Sequence, residues 1–269
     1  MKNPVCGFKL QSVREISRAI SGKVERHEPF SLVRLGDGEG LLLSISDQST
    51  LADLKYLEAH LGNKGVTLAG LLSLKYRLIE AIQDADVIGV RDDIIDVTFN
   101  PDNFSLPHAD FLDHFRRSFK LREVEKSLGY HGSRRIAFLH NRLGDLELAK
   151  DSRFCSAWFH YEFHISGEFF KILQRQERIG LISCRHRLPG LLEGLFDISV
   201  RFTDIPDMYR DILAPDKVPD YIGQLESVLR KQLVEFPGML YLVGGGLYGK
   251  LYCQLIRSQG LSLIHISEP

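Results

Sequence analysis

The chain has 269 residues, 44% of them hydrophobic, which is enough to fill the core of one large or two small globular domains. Its 34 basic residues nearly balance 35 acidic ones and no basic run stands apart, which argues against nonspecific nucleic-acid binding as the main function. No apolar run reaches the roughly 18 to 20 residues of a transmembrane segment, and the N-terminus lacks a signal peptide's apolar core, so we expect a cytoplasmic protein.

Short β-rich runs alternate along the chain with longer segments of helical period, which predicts repeated βα units around a mostly parallel sheet. The predicted helices cover residues 12–20, 51–61, 67–81, 109–121, 155–174 and 219–235. The predicted strands cover residues 30–35, 87–90, 135–139, 178–183, 198–202 and 239–243. Polar residues or glycines follow each strand, and open α/β sheets bind ligands beyond the carboxyl ends of their strands.

The last nine residues, 261–269, resemble the in-frame translation of a sequencing-library adapter. We therefore expect a single domain over residues 1–260, whose native reading frame was lost near Gly260, followed by a non-native tail. The alternative is a short terminal strand, because SLIHI has the alternation and β-branching that strands favour. Sequencing the source locus past codon 260 distinguishes the two.

The segment VRLGDGEG contains the first candidate site. Arg34 closes the first predicted strand, and Asp37 and Glu39 then lie two residues apart in a turn that also contains Gly36 and Gly38. Two carboxylates so spaced can bind one Mg²⁺ or Mn²⁺ ion that bridges a diphosphate, and the glycines let the backbone approach a ligand closely. The alternative is an ordinary acidic turn in which Asp37 caps the next segment and Arg34 pairs with a carboxylate.

The segment GGGLYGK is the second candidate site, between the last predicted strand and a helix. It matches the phosphate-binding pattern GxxxxGK, except that Leu251 replaces the magnesium-binding Ser or Thr. Backbone amides and a helix N-terminus can hold a phosphate, so Gly244, Gly245, Gly246 and Lys250 are candidate nucleotide-binding residues. Leu251 and the late position of the loop argue against an NTPase or a kinase. A close-packed turn without a ligand is the alternative.

Basic and imidazole side chains provide further candidates. Arg185 follows the strand RIGLIS and can contact phosphate oxygens, although a solvated basic turn explains it equally well. His160 and His164 lie one helical turn apart and can face the same way, as metal ligands do. Glu162 points about 200° away from His160, so the zinc-protease pattern fails. We favour a site role for His160; a histidine satisfied at a helix edge is the alternative.

Four segments carry a family resemblance: FSLVRLGDGEG, AWFHYEFHISGEFF, RIGLIS and LVGGGLYGKLYCQLIRSQG. Together they resemble the GT-D-type glycosyltransferases, bacterial enzymes with a Rossmann-like fold, over most of the chain. The resemblance implies helices on both faces of a mostly parallel sheet. It also implies that Asp37 and Glu39, the DxE triplet of the family, serve a divalent metal and the diphosphate of a nucleotide sugar, with Arg34 and His160 nearby. The family continues past the glycine-rich loop into another strand, where this chain has residues 261–269.

The resemblance implies a metal-dependent hexosyltransferase that moves a sugar from a nucleotide sugar, UDP-linked, to a bacterial surface glycan or glycoprotein. Mn²⁺ or Mg²⁺, arginine and backbone donors would stabilise the charge that develops on the leaving diphosphate. A base would deprotonate the acceptor hydroxyl, and Asp92, Asp93 and Asp204 are candidates because they lie beyond strand ends. The alternative function, based on the glycine-rich loop, is a non-catalytic nucleotide- or dinucleotide-binding module.

Overall fold

The computed structural model describes residues 9–46, 49–61, 67–91, 139, 141–148, 152–205, 227 and 236–266, except for the side chains of Asp37, Ala52, Ala59 and His60. The helices are α1 (Val13–Glu25), α2 (Asp37–Ser44), α3 (Leu51–Leu61), α4 (Leu68–Gln83), α5 (Phe159–Ile165), α6 (Glu168–Leu173), α7 (Leu188–Phe196) and α8 (Tyr248–Ser258). The strands are β1 (Ser31–Arg34), β2 (Val87–Val90), β3 (Arg153–Ser156), β4 (Arg178–Ser183), β5 (Ser199–Asp204), β6 (Leu240–Val243) and β7 (Ser262–His265). Residues 141–145 are also helical.

The seven strands form one sheet in the order β3-β2-β1-β7-β6-β4-β5, and every neighbouring pair is parallel. All carboxyl ends therefore lie at the same edge of the sheet. The predicted parallel α/β architecture is confirmed. Among the described residues, no helix is both long and apolar enough to cross a membrane.

Helices cover both faces of the sheet, because successive strand residues point to opposite sides. Val33 of β1 packs in the hydrophobic cluster that contains α2, α3, α4 and α8. Its neighbour Leu32 packs in the second cluster, with α1, α5 and α6 and with Leu192 of α7. Removing each such side chain from water contributes about 1.5–3 kcal/mol, so the two clusters fix which face each helix covers.

The helices that follow β4 and β6 leave the sheet on opposite faces. Helix α8, after β6, packs in the first cluster, whereas Leu192 of α7, after β4, packs in the second. Since β4 and β6 are neighbours, the chain diverges between their carboxyl ends. Such a topological switch point opens the crevice in which α/β proteins bind ligands.

Local capping explains where two predicted helices begin. The Ser12 hydroxyl accepts a hydrogen bond from the Glu15 amide at 3.4 Å, and the Glu15 carboxylate accepts one from the Ser12 amide at 2.8 Å. The Thr67 hydroxyl likewise accepts a hydrogen bond from the Gly70 amide at 3.1 Å. These contacts satisfy amides that have no partner in the first helical turn, so α1 and α4 begin just after Ser12 and Thr67.

The predicted long helix over residues 155–174 is wrong. Its first residues belong to the edge strand β3, and the remainder is divided into α5 and α6 at Gly167, whose φ of 75° is the left-handed conformation that ends many helices. Leu139, the last residue of the predicted strand 135–139, is helical. The rest of that strand, the predicted helix 109–121 and all of 219–235 except Ser227 lie outside the described residues.

Residues 262–265 form β7 in the interior of the sheet, between β1 and β6. The Leu263 amide donates to the Phe30 carbonyl at 2.6 Å, and the Ile266 amide donates to the Val243 carbonyl at 2.8 Å. All four strand residues are buried. Residues 262–265 therefore adopt the short terminal strand that the sequence analysis gave as the alternative. The non-native origin of residues 261–269 stays a prediction.

Asp86 connects three elements at the amino edge of the sheet. Its carboxylate accepts hydrogen bonds from Lys23 of α1 at 3.0 Å, from the Ser31 amide of β1 at 2.8 Å, and from Arg257 of α8. Burial by itself would raise the pKa of Asp86, but the hydrogen bonds from Arg257, Lys23 and Ser31 outweigh it and lower the pKa below its usual 3.8.

We predict that Asp86→Asn lowers the free energy of unfolding by about 2–3 kcal/mol at pH 7, because it removes one partner of a largely buried charge network. The pKa of Asp86 is lower in the folded state than in the unfolded state. The contribution of Asp86 to stability is therefore complete at pH values above its unfolded-state pKa. It is lost as the pH falls through its folded-state pKa. Urea denaturation at pH 7 and at about pH 2.5 checks this. A deficit of equal size at both pH values would contradict it.

Candidate active site at the carboxyl edge

The acidic segment predicted as a tight turn is the first turn of helix α2. Gly36 is the N-cap, and its amide donates a 2.6 Å hydrogen bond to Oε2 of Glu39. The carboxylate thereby satisfies an amide at the helix start, and its charge suits the positive end of the helix dipole. A Cβ at Gly36 would lie 3.3 Å from that carboxylate, a tight contact. Gly38 follows Asp37 within the same helical turn.

The other oxygen of Glu39 forms a buried ion pair. Oε1 lies 2.6 Å from Nζ of Lys250, and the two side chains are only 7% and 6% exposed. Nζ also donates to the Gly246 carbonyl at 2.8 Å. The pair joins the start of α2, after β1, to the start of α8, after β6. Since β7 lies between those two strands, the ion pair spans the middle of the sheet's carboxyl edge.

The glycine-rich loop has the predicted position between strand and helix, but parts of it have structural roles. The Gly244 amide donates to the Ile182 carbonyl of β4 at 2.8 Å, so that amide extends the sheet. Gly246 adopts a φ of 52°, in the left-handed region that glycine tolerates best. The ammonium group of Lys250 is engaged with Glu39 and Gly246. Phosphate binding by Gly244, Gly245, Gly246 and Lys250 stays a prediction.

Arg34 is a buried cation at the end of β1. Its Nε donates to the Ala157 carbonyl, just after β3. Burial lowers the pKa of Arg34 to about 10, partly offset by the nearby Tyr161, Cys155 and Glu39, so the guanidinium stays charged at neutral pH.

Space for this arginine comes from Gly89, a residue that the sequence analysis did not identify. Gly89 lies beside Arg34 in the neighbouring strand β2, and a Cβ there would approach Cγ of Arg34 to 3.2 Å. A glycine inside an apolar strand is the signal that could have revealed this close approach.

His160 lies in the first turn of α5, in an aromatic cluster. Its ring centroid is 3.9 Å from that of Tyr161 and 6.4 Å from that of Trp158. The Trp158 ring in turn faces the guanidinium of Arg91, whose Cζ is 4.8 Å from the ring centroid, a cation–π contact just beyond β2. Both ring nitrogens of His160 are buried, and neither has a hydrogen bond of good geometry within the described part of the chain.

Burial, and next the charge of Arg34, lower the pKa of His160 to about 2, against a smaller opposing effect of the Ala157 backbone. The imidazole is therefore neutral at physiological pH. A neutral imidazole donates one hydrogen bond from one ring nitrogen and accepts one at the other. A group with so low a pKa is a weak general base near pH 7. A catalytic role for His160 stays a prediction.

The remaining predicted residues lie apart from this cluster. Arg185 follows β4 on the far side of the switch-point crevice, where its amide donates to the Ser183 hydroxyl at 3.0 Å. Asp204 ends β5 and is 3.7 Å from the exposed His186. Asp92 and Asp93 lie outside the described residues.

The residues around Glu39 do not fit a bound divalent cation in this arrangement. One carboxylate oxygen already contacts the Lys250 ammonium and the other accepts the Gly36 amide, so a cation at Glu39 would also face a buried positive charge. Among the described residues, no three His, Cys, Asp or Glu side chains form a metal-binding group. The metal prediction therefore depends on Asp37, whose side chain is not described.

Comparison with known families gives one match. Residues 11–113, from before α1 to beyond β2, match the GT-D-like family, described as a GT-D fold-like domain. The match includes Arg34 and the acidic first turn of α2. It supports the GT-D-type assignment and confirms the predicted resemblance over residues 11–113, which contain the first of the four segments that carry it; the resemblance of the three later segments stays a prediction. Searches of curated proteins and of solved structures gave no significant match.

We predict that Glu39→Gln and Lys250→Met each lower the free energy of unfolding by about 3–5 kcal/mol, because each leaves a buried charge or its partner unpaired. The double variant should lose clearly less than the sum of the two single losses. Urea denaturation followed by circular dichroism measures all four proteins.

The exposed pair between Arg26 and Glu28, at 2.7 Å, provides the matched control. Glu28→Gln makes the same chemical change where water screens the charges, and it should leave the unfolding curve almost unchanged. Strictly additive losses for Glu39 and Lys250 would show that the two side chains do not depend on each other.

Proposed function

We propose that this chain transfers a hexosyl group from a nucleotide sugar, UDP-linked, to a glycan or glycoprotein acceptor. The family match supports a glycosyltransferase-like fold. The observation that carries the proposal is the gathering of Arg34, Glu39 and Lys250 at the carboxyl edge of a parallel sheet, next to a topological switch point. Parallel α/β folds bind nucleotides at this place, and fixed positive charge suits a diphosphate.

Charge development explains why such a cluster would accelerate transfer. The acceptor oxygen bonds to the anomeric carbon as the bond to the diphosphate oxygen breaks, and the nucleoside diphosphate leaves with additional negative charge. Arg34 remains a cation with a pKa of about 10. Groups held in place before the reaction stabilise this charge without reorganising. The acceptor proton passes to a base; Asp204, the predicted candidate that the structure describes, ends the edge strand β5 apart from this cluster, so the base stays unassigned.

The divalent metal is a separate part of the proposal. Asp37 is the residue that would hold Mn²⁺ or Mg²⁺, and the ion would neutralise charge on the leaving diphosphate. Because Glu39 is paired with Lys250, we derive no catalytic step from the metal.

We predict that the purified chain releases UDP from at least one UDP-sugar, and that Asp37→Asn lowers the rate by about 10²–10³, the loss typical when one stabilising group is removed from a transition state. A coupled assay for UDP over a panel of UDP-sugars measures this. Assays with Mn²⁺ and with a chelator test the metal: equal rates would remove it from the mechanism and leave the transferase proposal standing.

Asp145→Asn is the matched control, because it makes the same change at an exposed carboxylate next to Arg142. Its turnover should equal that of the wild type. Undiminished UDP release by a folded Asp37→Asn variant would exclude Asp37 from the reaction. Thermal stabilisation by NAD or ATP but not by UDP-sugars would instead favour the non-catalytic dinucleotide-binding module.

A further inference from the structure

The ends of three neighbouring strands, β1, β2 and β3, carry two arginines and a tryptophan to the carboxyl edge of the sheet. Arg34 ends β1, Arg91 comes directly after β2, and Trp158 comes two residues after β3. These strands are parallel, with β2 in the middle, so the three positions share one edge. Arg91 and Trp158 are partly exposed, whereas Arg34 is buried. Arg91 is therefore the more accessible of the two cations.

The position of Trp158 is fixed by the backbone of the loop that follows β3. The Ala157 amide donates to the Val90 carbonyl of β2 at 2.6 Å, and the Ala157 carbonyl accepts a hydrogen bond from Nε of Arg34. The Trp158 amide donates to the Ser156 hydroxyl at 3.1 Å. These contacts attach the loop to β1 and β2, so rigid elements of the sheet hold the indole ring.

The indole ring in turn restrains the guanidinium of Arg91. Cζ of Arg91 lies 4.8 Å from the centroid of the Trp158 ring, within the range of a cation–π contact. Such a contact holds the charge in place, while the planar fork of N–H donors can still point to other acceptors. A guanidinium restrained in this way is arranged in advance for bidentate binding of an oxyanion.

The charges at these strand ends favour an anion. Burial lowers the pKa of Arg34, and the nearby charge of Arg91 lowers it further, so the two guanidinium groups repel each other. The charge of Glu39 partly offsets this effect, but Glu39 is itself paired with Lys250 at 2.6 Å. An oxyanion beside Arg91 would attract both guanidinium groups and relieve their repulsion.

The arrangement suits a phosphate group better than other ligands. A divalent cation would be repelled by both arginines, and an apolar group would leave the guanidinium donors without an acceptor. A carboxylate carries one negative charge, whereas a terminal phosphate carries more charge and more acceptor oxygens. Two neighbouring guanidinium groups therefore match the phosphate group.

We propose that Arg91, held in place by Trp158, binds a phosphate group beyond the carboxyl ends of β1, β2 and β3. The location of the anion follows from this geometry alone. Its identity as the diphosphate of the donor nucleotide rests on the proposed transferase function. Trp158 is then a positioning residue that acts through Arg91, and Arg34 contributes its charge from a buried position.

Titration with inorganic pyrophosphate tests the proposal without a transferase assay. Trp158 is the single tryptophan of the chain, so tryptophan emission reports on the charge that faces its ring. We expect pyrophosphate, added at constant ionic strength, to change this emission saturably. By isothermal titration calorimetry, Arg91→Gln should bind pyrophosphate about 10–100 times more weakly, because it loses charge-assisted hydrogen bonds.

Arg153→Gln is the matched control. Arg153 is an exposed arginine at the start of β3, so the same change is made at the opposite edge of the sheet, and pyrophosphate affinity should equal that of the wild type. If Arg91→Gln does not fold, Arg91→Lys is assayed instead, and it should bind at least about threefold more weakly because it lacks the planar fork. Unchanged affinity in the folded Arg91 variant, or no saturable pyrophosphate binding by the wild type, would overturn the proposal.

A double-variant cycle tests the role of Trp158. Trp158→Leu should weaken pyrophosphate binding about 3–10-fold, as expected when a cation–π contact is removed. In the Arg91→Gln background the same substitution should cause no further loss, because Trp158 acts through Arg91. Equal losses in both backgrounds would show a general structural effect and would overturn the positioning role.

UDP identifies the source of the phosphate group. We expect UDP and pyrophosphate to compete for one site, and Arg91→Gln to weaken the binding of both. Pyrophosphate binding without UDP binding would overturn the assignment to the donor nucleotide. Competition by UDP in a protein that transfers no sugar would support the anion site and count against the proposed function alone.

Discussion

The buried ion pair between Glu39 and Lys250 is the constraint on which the carboxyl edge of this protein depends. Removing two charges from water is costly, and the pair persists because each charge has further partners: the Gly36 amide for Glu39 and the Gly246 carbonyl for Lys250. The ion pair fixes the first turns of α2 and α8 relative to each other across β7. The first turn of α2 belongs to the segment VRLGDGEG, and the first turn of α8 belongs to the segment GGGLYGK. The ion pair therefore makes the acidic helix start and the glycine-rich loop one structural unit.

The polar groups at the carboxyl edge lie on two different faces of the sheet. The ion pair joins helices of the face that contains α2 and α8, whereas Arg34 and His160 contact the loop after β3, toward α5. An apolar cavity lies on that second face. His160 lines that cavity, and the charge of Arg34 contributes to lowering the pKa of its ring. Because its imidazole is neutral, His160 adds no third buried positive charge to the cluster.

Local patterns predicted some elements well and others poorly, for physical reasons. The strands 87–90 and 178–183 and the helix 51–61 were predicted with their observed bounds, because polar residues or glycines bound each apolar run. Strand β3 was missed because its four residues, RFCS, adjoin an aromatic run of helical period, and only pairing with β2 makes them extended. Gly167 was the available signal for the break that followed.

By itself, the sequence determined the alternation of strands and helices, and therefore which residue types lie just beyond each strand. It also carried the family resemblance that residues 11–113 confirm. Only the tertiary structure decided that Glu39 pairs with Lys250, that residues 262–265 complete the middle of the sheet, and that Arg34 donates to the Ala157 carbonyl beyond β3. The reason is that strand order brings distant segments together, and no local period of hydrophobic residues encodes which strands will be neighbours.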